Sequence, residues 1–141
     1  MQTAKIAVSR LLVAGLAAGA WVFVSGLLMA AAFGYREMSA AFGVIGLEVP
    51  TGPGTFVTHT LVRFALGVAI VALFAITTQV FAGLKAVVAA AGLAWLLSAF
   101  LPFLVMTQWG LFSWSLATKV WAWSAGEFFV AALIARLTYR H

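Results

Sequence analysis

Apolar residues run along this chain in long blocks, not in the alternation of a half-buried strand. Four stretches, 11–33, 58–83, 86–107 and 111–135, are almost continuously apolar. Each meets the roughly 20 residues that an α-helix needs to cross a bilayer. In hydrocarbon the backbone must satisfy its own hydrogen bonds, which leaves helices or a closed barrel. The first stretch has some features of a signal peptide, with Lys5 and Arg10 before it and Ala30-Ala31-Ala32 at its end. Its apolar run exceeds the roughly 7–15 residues of a signal core, so it reads as a retained span.

Short links join the later spans: Ala82-Gly83-Leu84-Lys85 between the second and third, and Gln108-Trp109-Gly110 between the third and fourth. Connections this short force antiparallel neighbours. The expected fold is all-α, a transmembrane four-helix up-down-up-down bundle that forms a single membrane domain over residues 1–141. The long connection, 34–57, places Tyr35, Met38, Ala41, Phe42 and Ile45 at helical spacing, with Arg36, Glu37 and Ser39 on the other face. This predicts a short interfacial helix in the first outer loop, either capping the bundle or lying on headgroups as a linker. Pro50-Thr51-Gly52-Pro53-Gly54 then turns the chain back toward the membrane.

Composition agrees with the pattern. Of 141 residues, 65% are apolar and 8% charged, against about 25% charged in a soluble domain. A water-soluble fold is excluded, and so is disorder, which needs low hydrophobicity. With no Cys, there is no disulfide, zinc-thiolate or thiol chemistry. The net charge of +5 comes from eight Lys and Arg, and their placement reads as a topology signal, not a nucleic-acid surface. If the N-terminus lies inside, the cytoplasmic segments hold Lys5, Arg10, Lys85, Arg136 and Arg140, while the first outer loop holds only Arg36. Basic residues favour the cytoplasmic side, so both termini are expected there.

Three ionisable residues enter the spans: Arg63, Lys119 and Glu127. Such residues are costly in a membrane and are functional candidates by default. At about 1.5 Å per residue, Arg63 lies roughly 8 Å and Lys119 roughly 12 Å below the outer ends of spans two and four. Glu127 lies roughly 24 Å down, about 16 Å from Arg63, so no Arg63–Glu127 salt bridge is expected.

This depth count gives two polar layers. In the outer one, His59 and Arg63 share a face of span two at i,i+4 spacing, with Gly67 one turn deeper and Lys119 facing them from span four. Two cations there suit an anionic headgroup, a small acid, or Glu37 and Glu48 from the loop above. The structural alternative is that both cations snorkel to the interface. In the inner layer, Lys119, Trp123 and Glu127 follow one another at i,i+4 steps, with Gly126 alongside. Thr77, Thr78 and Gln79 fall at matching depth. With hydroxyl partners and no cation, the carboxyl is expected in its neutral, hydrogen-bond-donating form. It then acts either as a proton carrier or ligand anchor, or as an interhelical tie.

Trp95 falls at the depth of Glu127. A pocket walled by Trp95 and Trp123, with Glu127 as its polar handle, would suit a flat apolar ligand such as a quinone or pigment. Packing against lipid is the plainer use of these rings, and Trp109 and Trp114 read as interfacial belt residues. Gly15-Leu16-Ala17-Ala18-Gly19 is a GxxxG pattern, with Gly26 further along the same side; it serves packing within the bundle or a homodimer face. Pro102 is expected to kink span three, with Ser98 taking up a freed backbone group. A bis-histidine haem site is excluded within one chain, because His59 is the only histidine in a span. No His, Asp and Glu cluster has metal-ligand spacing, and there is no phosphate-binding loop or catalytic triad.

The stretch from Phe81-Ala82-Gly83-Leu84-Lys85 through Gly92, Trp95 and Leu101-Pro102, followed by Trp123-Ser124-Ala125-Gly126-Glu127 and Leu137-Thr138-Tyr139-Arg140, resembles an uncharacterised family of small bacterial four-span integral membrane proteins. The resemblance covers most of the chain. It implies the four-span fold and a bacterial inner-membrane setting. Relatives carry an acidic residue in span one near Val24-Ser25-Gly26, which this chain lacks.

The expected role is a non-catalytic accessory or ligand-binding subunit whose bundle contacts a lipid, an apolar cofactor or a larger membrane complex. One alternative is a small membrane enzyme acting on a lipophilic substrate, with Arg63 and Lys119 holding an anionic co-substrate. Another is a homo-oligomeric proton-coupled transporter built around Glu127.

Overall fold

A computed structural model describes residues 8–139, and every regular element among them is helical. Lys5 and Arg140, two of the residues used to orient the chain, lie outside the described residues. Helix α1 (Val8–Met29) passes through a π-helical turn, Ala30–Gly34, into α2 (Tyr35–Val44). Helix α3 (Pro53–Thr77) follows. Next come α4 (Leu84–Trp95), a second π-helical turn (Leu96–Phe100), α5 (Leu101–Gln108) and finally α6 (Trp114–Thr138). Four continuous helical segments are long and apolar enough to cross a membrane: Val8–Val44, Pro53–Thr77, Leu84–Gln108 and Trp114–Thr138.

Local chemistry sets these boundaries. Gly52 precedes α3 at φ 114°, where a side chain would be strained, and Pro53 opens the helix at a position that needs no N–H. The spans expected to meet at 83–86 separate earlier, because α3 ends at Thr77. The Thr77 hydroxyl donates to the Phe74 and Ala86 carbonyls and so ties the two ends of the turn together. Gly83 then takes φ 59° ahead of α4. At the start of α6, Ser113 caps the helix by accepting from the Leu116 N–H.

The helix expected in the outer loop forms, but as a continuation of the first span. Gly34 keeps helical dihedrals of −59° and −50°, so no irregular residue divides α1 from α2. The segment has 37 residues, or about 55 Å of helix, against about 30 Å of hydrocarbon. Met38 and Ala41 of α2 pack with Met29, Phe33 and Phe103 on Phe112, Leu116 and Val120 at the start of α6.

The expected disturbance around Pro102 takes the form of the π-helical turn just before it, where the Leu101 N–H reaches back to the Leu96 carbonyl. The Ser98 hydroxyl takes the Ala94 carbonyl.

The most extensive helix contact is between α1 and α3, and the glycines make it possible. Gly15 meets Val68, Gly19 meets Phe64, and a Cβ on Gly67 would lie 2.2 Å from the Gly19 backbone nitrogen. The GxxxG stripe is therefore used within the chain. A main core of small and aliphatic side chains, including Ala14, Ala18, Ile70, Val71, Ala90 and Ala131, fills one end of the molecule. The Phe112–Leu116–Val120 cluster fills the other end. On α1 and α6, the stretch between these two apolar clusters carries the polar residues described next.

Candidate functional site

Arg63 of α3 and Glu127 of α6 form an ion pair, with Arg63 Nη1 donating to Glu127 Oε1 at 2.9 Å. This overturns the expectation that they lie too far apart, and the helix ends explain why. Helix α3 starts at Pro53, five residues before residue 58, and α6 starts at Trp114, three after residue 111. Together these displacements shift the two helices by about 12 Å relative to the depth count, reducing the Arg63–Glu127 offset to about 5 Å. The same shift separates Glu127 from the threonines expected beside it. Thr77 is spent on the turn to α4, and Thr78 donates to the Ala75 carbonyl. The carboxyl, expected to have hydroxyl partners and no cation, instead accepts from a guanidinium.

Helix α1 completes the site. The Trp21 indole N–H donates to the Glu127 backbone carbonyl at 3.0 Å. The Trp123 indole N–H donates to the Ser25 hydroxyl at 3.0 Å, and Ser25 is in turn a hydrogen-bond partner of the Glu127 carboxylate. A hydroxyl can fill both roles, accepting from the indole and donating to the carboxylate. Gly26 lies under the guanidinium: a Cβ there would come within 2.7 Å of Arg63 Cζ. Three helices thus converge on one charge pair. Its carboxylate side is sealed, with 2% of the Glu127 side chain exposed against 17% of Arg63.

The two members reach in a common direction. Gly15 faces Val68 and Gly19 faces Phe64, and extending that register places Gly26 level with Val57, about 9 Å of helix before Arg63. Side chains on a helix lean toward its N-terminus, and the Arg63 stem follows that lean along its full length. The head of Arg63 meets Glu127. His59 stands one turn nearer the start of α3 and is exposed.

The remaining site residues go elsewhere. Lys119 does not join Arg63; its ammonium pairs with the Glu37 carboxylate on α2 and lies 6.0 Å from the centre of the Phe33 ring. One of the two loop carboxylates offered to the outer cations thus arrives and engages Lys119. This pair is substantially solvent-facing, so Lys119→Gln is expected to cost no more than about 1 kcal/mol in chemical unfolding, and less at high salt.

Trp95 and Trp123 do not form two walls of one pocket. The Trp95 N–H donates to the Trp121 carbonyl at 2.9 Å, and its ring lies 5.0 Å from that of Phe100. Trp123 turns toward α1 and meets Phe33. Trp121 packs against Phe100 and Trp114, and its own buried N–H has no acceptor among the described residues. Removing an unpaired donor relieves a desolvation penalty, whereas removing a paired one loses a bond of about 1 kcal/mol. Trp121→Phe is therefore expected to retain more thermal stability than Trp95→Phe, as read by differential scanning fluorimetry in detergent.

Sequence reading missed Ser25 and Trp21 as partners of Glu127. The available signal was their i,i+4 spacing, which puts Trp21 and Ser25 on one face of α1, a face separate from the glycine stripe and turned toward α6.

Comparison with known proteins finds no match to a family model, a curated protein or a solved structure.

Proposed function

We propose that this chain is a small multi-pass protein of a bacterial inner membrane, a non-catalytic accessory or ligand-binding subunit whose apolar exterior contacts lipid, an apolar cofactor or a larger membrane complex. Its four spans run up-down-up-down with both termini cytoplasmic. Supporting the alternation, Trp21 faces Glu127 while Ser25 faces Trp123, so α1 and α6 run in opposite senses; Gly15–Val68 and Gly19–Phe64 do the same for α1 and α3. Arg10, Lys85 and Arg136 fall at the cytoplasmic ends in this arrangement and Arg36 at the outer one, as the positive-inside bias requires.

The observation that carries the proposal is the convergence of α1, α3 and α6 on the Arg63–Glu127 pair. A buried charge fixed by partners from three helices specifies how those helices fit together. The outer face of α4 and α5 supplies a contact surface, with Leu93, Leu97, Leu101 and Val105 exposed in one row at four-residue spacing.

Native mass spectrometry of the protein extracted in a mild detergent tests this role. The expected result is retention of lipid, an apolar cofactor or a larger protein partner. A bare homo-oligomer that retains nothing and turns over a lipophilic substrate would overturn it.

A further inference from the structure

Arg63 offers more hydrogen-bond donors than the fold uses. A guanidinium carries five N–H groups in a planar fork, and among the described residues this one donates to a single acceptor, Glu127 Oε1. Its face rests on Gly26, with the would-be Cβ 2.7 Å from Cζ, 2.9 Å from Nη2 and 3.0 Å from Nε. A face covered in this way leaves the Nε–Nη2 edge to point sideways, out of the contact with α1. That edge belongs to the more open half of the pair, since the Arg63 side chain is 17% exposed and that of Glu127 2%. Donors left unmatched in hydrocarbon are costly, so whatever surrounds the bundle at this depth must supply an acceptor.

Depth and charge identify the acceptor. The guanidinium rests on Gly26, level with Val57 and about 6 Å from the start of α3. The first turns of α3 mix polar and apolar residues, Thr55, Thr58, His59 and Thr60 among Phe56 and Val57, and from Leu61 to Ile76 the helix is apolar except for Arg63. The guanidinium therefore sits where the polar interface, about 5–8 Å thick on each face, gives way to hydrocarbon. That boundary is where the ester groups of glycerolipids lie. The Arg63–Glu127 pair is already neutral, and the neighbouring cation on α6, Lys119, is engaged by Glu37. A phosphate there would add an uncompensated negative charge at the edge of a low-dielectric region, whereas a carbonyl oxygen accepts two N–H bonds and adds none.

We propose that the Nε–Nη2 edge of Arg63 binds the ester carbonyl of an outer-leaflet glycerolipid. The bound lipid lies against the α1–α3 seam beside Gly26 and completes the hydrogen bonding of the ion pair from outside. The proposal rests on the reading of the chain as a bilayer-spanning protein.

Solid-state NMR on the full chain in bilayers tests it, with arginine 15N in the protein and 13C at the lipid ester carbonyls. Arg63 is assigned as the arginine whose side-chain nitrogens dephase against glutamate 13Cδ, and independently by loss of its signal in Arg63→Lys. The expected result is 15N–13C dephasing of Arg63 by ester carbonyls with little dephasing by lipid 31P. In ether-linked lipids with the same headgroup, the Arg63 15Nε resonance should shift. Equal or stronger dephasing by 31P would overturn the proposal in favour of a phosphate, and absence of lipid dephasing would overturn it in favour of water. Carbonate extraction of the same vesicles keeps the two readings apart. A chain that washes off contradicts the membrane reading, and a chain that stays without carbonyl contact contradicts only this proposal.

Discussion

Replacing Arg63 with leucine while Glu127 remains is expected to lower the free energy of unfolding by about 3–5 kcal/mol, the usual consequence of stranding one member of a buried ion pair. The size follows from what is left behind. The Glu127 side chain is 2% exposed, and the Ser25 hydroxyl and the Trp21 N–H to its backbone carbonyl cannot replace a full positive charge. Glu127→Leu, which strands the arginine, is expected to cost less. The Arg63 side chain is more open, and its long stem can carry the head further toward the interface. Urea or SDS titration in micelles, followed by tryptophan fluorescence, reads both. The tryptophans flanking the site, Trp21 and Trp123, report its opening directly. Equal losses in the two variants would show that the stem does not relieve the stranded cation.

Gly67→Leu is expected to be comparably damaging for a steric reason. A Cβ at position 67 would sit 2.2 Å from the Gly19 nitrogen, 2.4 Å from its Cα and 2.7 Å from the Gly15 carbonyl oxygen. All three are backbone atoms of a helix and cannot swing aside. Overpacking of this kind costs about 3 kcal/mol or more when the backbone must move. Gly26→Ala is a useful contrast. Its new methyl would meet the far end of the Arg63 side chain, which can shift, so the loss should be smaller and should come with a displaced guanidinium. Thermal unfolding in one detergent ranks the two, and a Gly67→Leu protein as stable as Gly26→Ala would contradict the close α1–α3 crossing.

The chain announces its helices clearly and their ends poorly. Blocks of some 20 apolar residues leave little choice but helices, and four helices of spanning length form. The apolar pattern does not mark where a helix stops, because capping and turn residues decide that. Pro53 was read as part of a turn and instead opens α3, and Ser113 was absorbed in a span and instead caps α6. Those eight residues of combined displacement separated Arg63 from Glu127 on paper. The error was one of register, which a hydrophobic block leaves undetermined.

The site was legible in its members more than in its connections. Arg63, Lys119 and Glu127 stand out as charges within apolar runs, and all three are paired. Which charge takes which partner depends on the C-terminal end of the first helix. A chain that broke after residue 33 would leave Glu37 free to lie anywhere on the headgroups. The unbroken passage from α1 into α2 instead sets Glu37 against Lys119, leaving Glu127 to Arg63. Gly26, read as one more small residue in a packing stripe, provides the flat surface on which the guanidinium rests. Its role depends on a side chain from another helix, which spacing along α1 cannot reveal.

The central claim is that Arg63 and Glu127 act as one unit that holds α1, α3 and α6 together. A double-mutant cycle tests it most directly: unfolding free energies of the native chain, Arg63→Met, Glu127→Leu and the pair of substitutions combined, measured in the same micelle. The combined variant removes both charges and leaves apolar side chains of similar length. It is predicted to lie within about 2 kcal/mol of the native chain and to be more stable than Arg63→Met alone, with a coupling energy of a few kcal/mol between the two positions. A combined loss equal to the sum of the two single losses would contradict the account, because the two residues would then act independently.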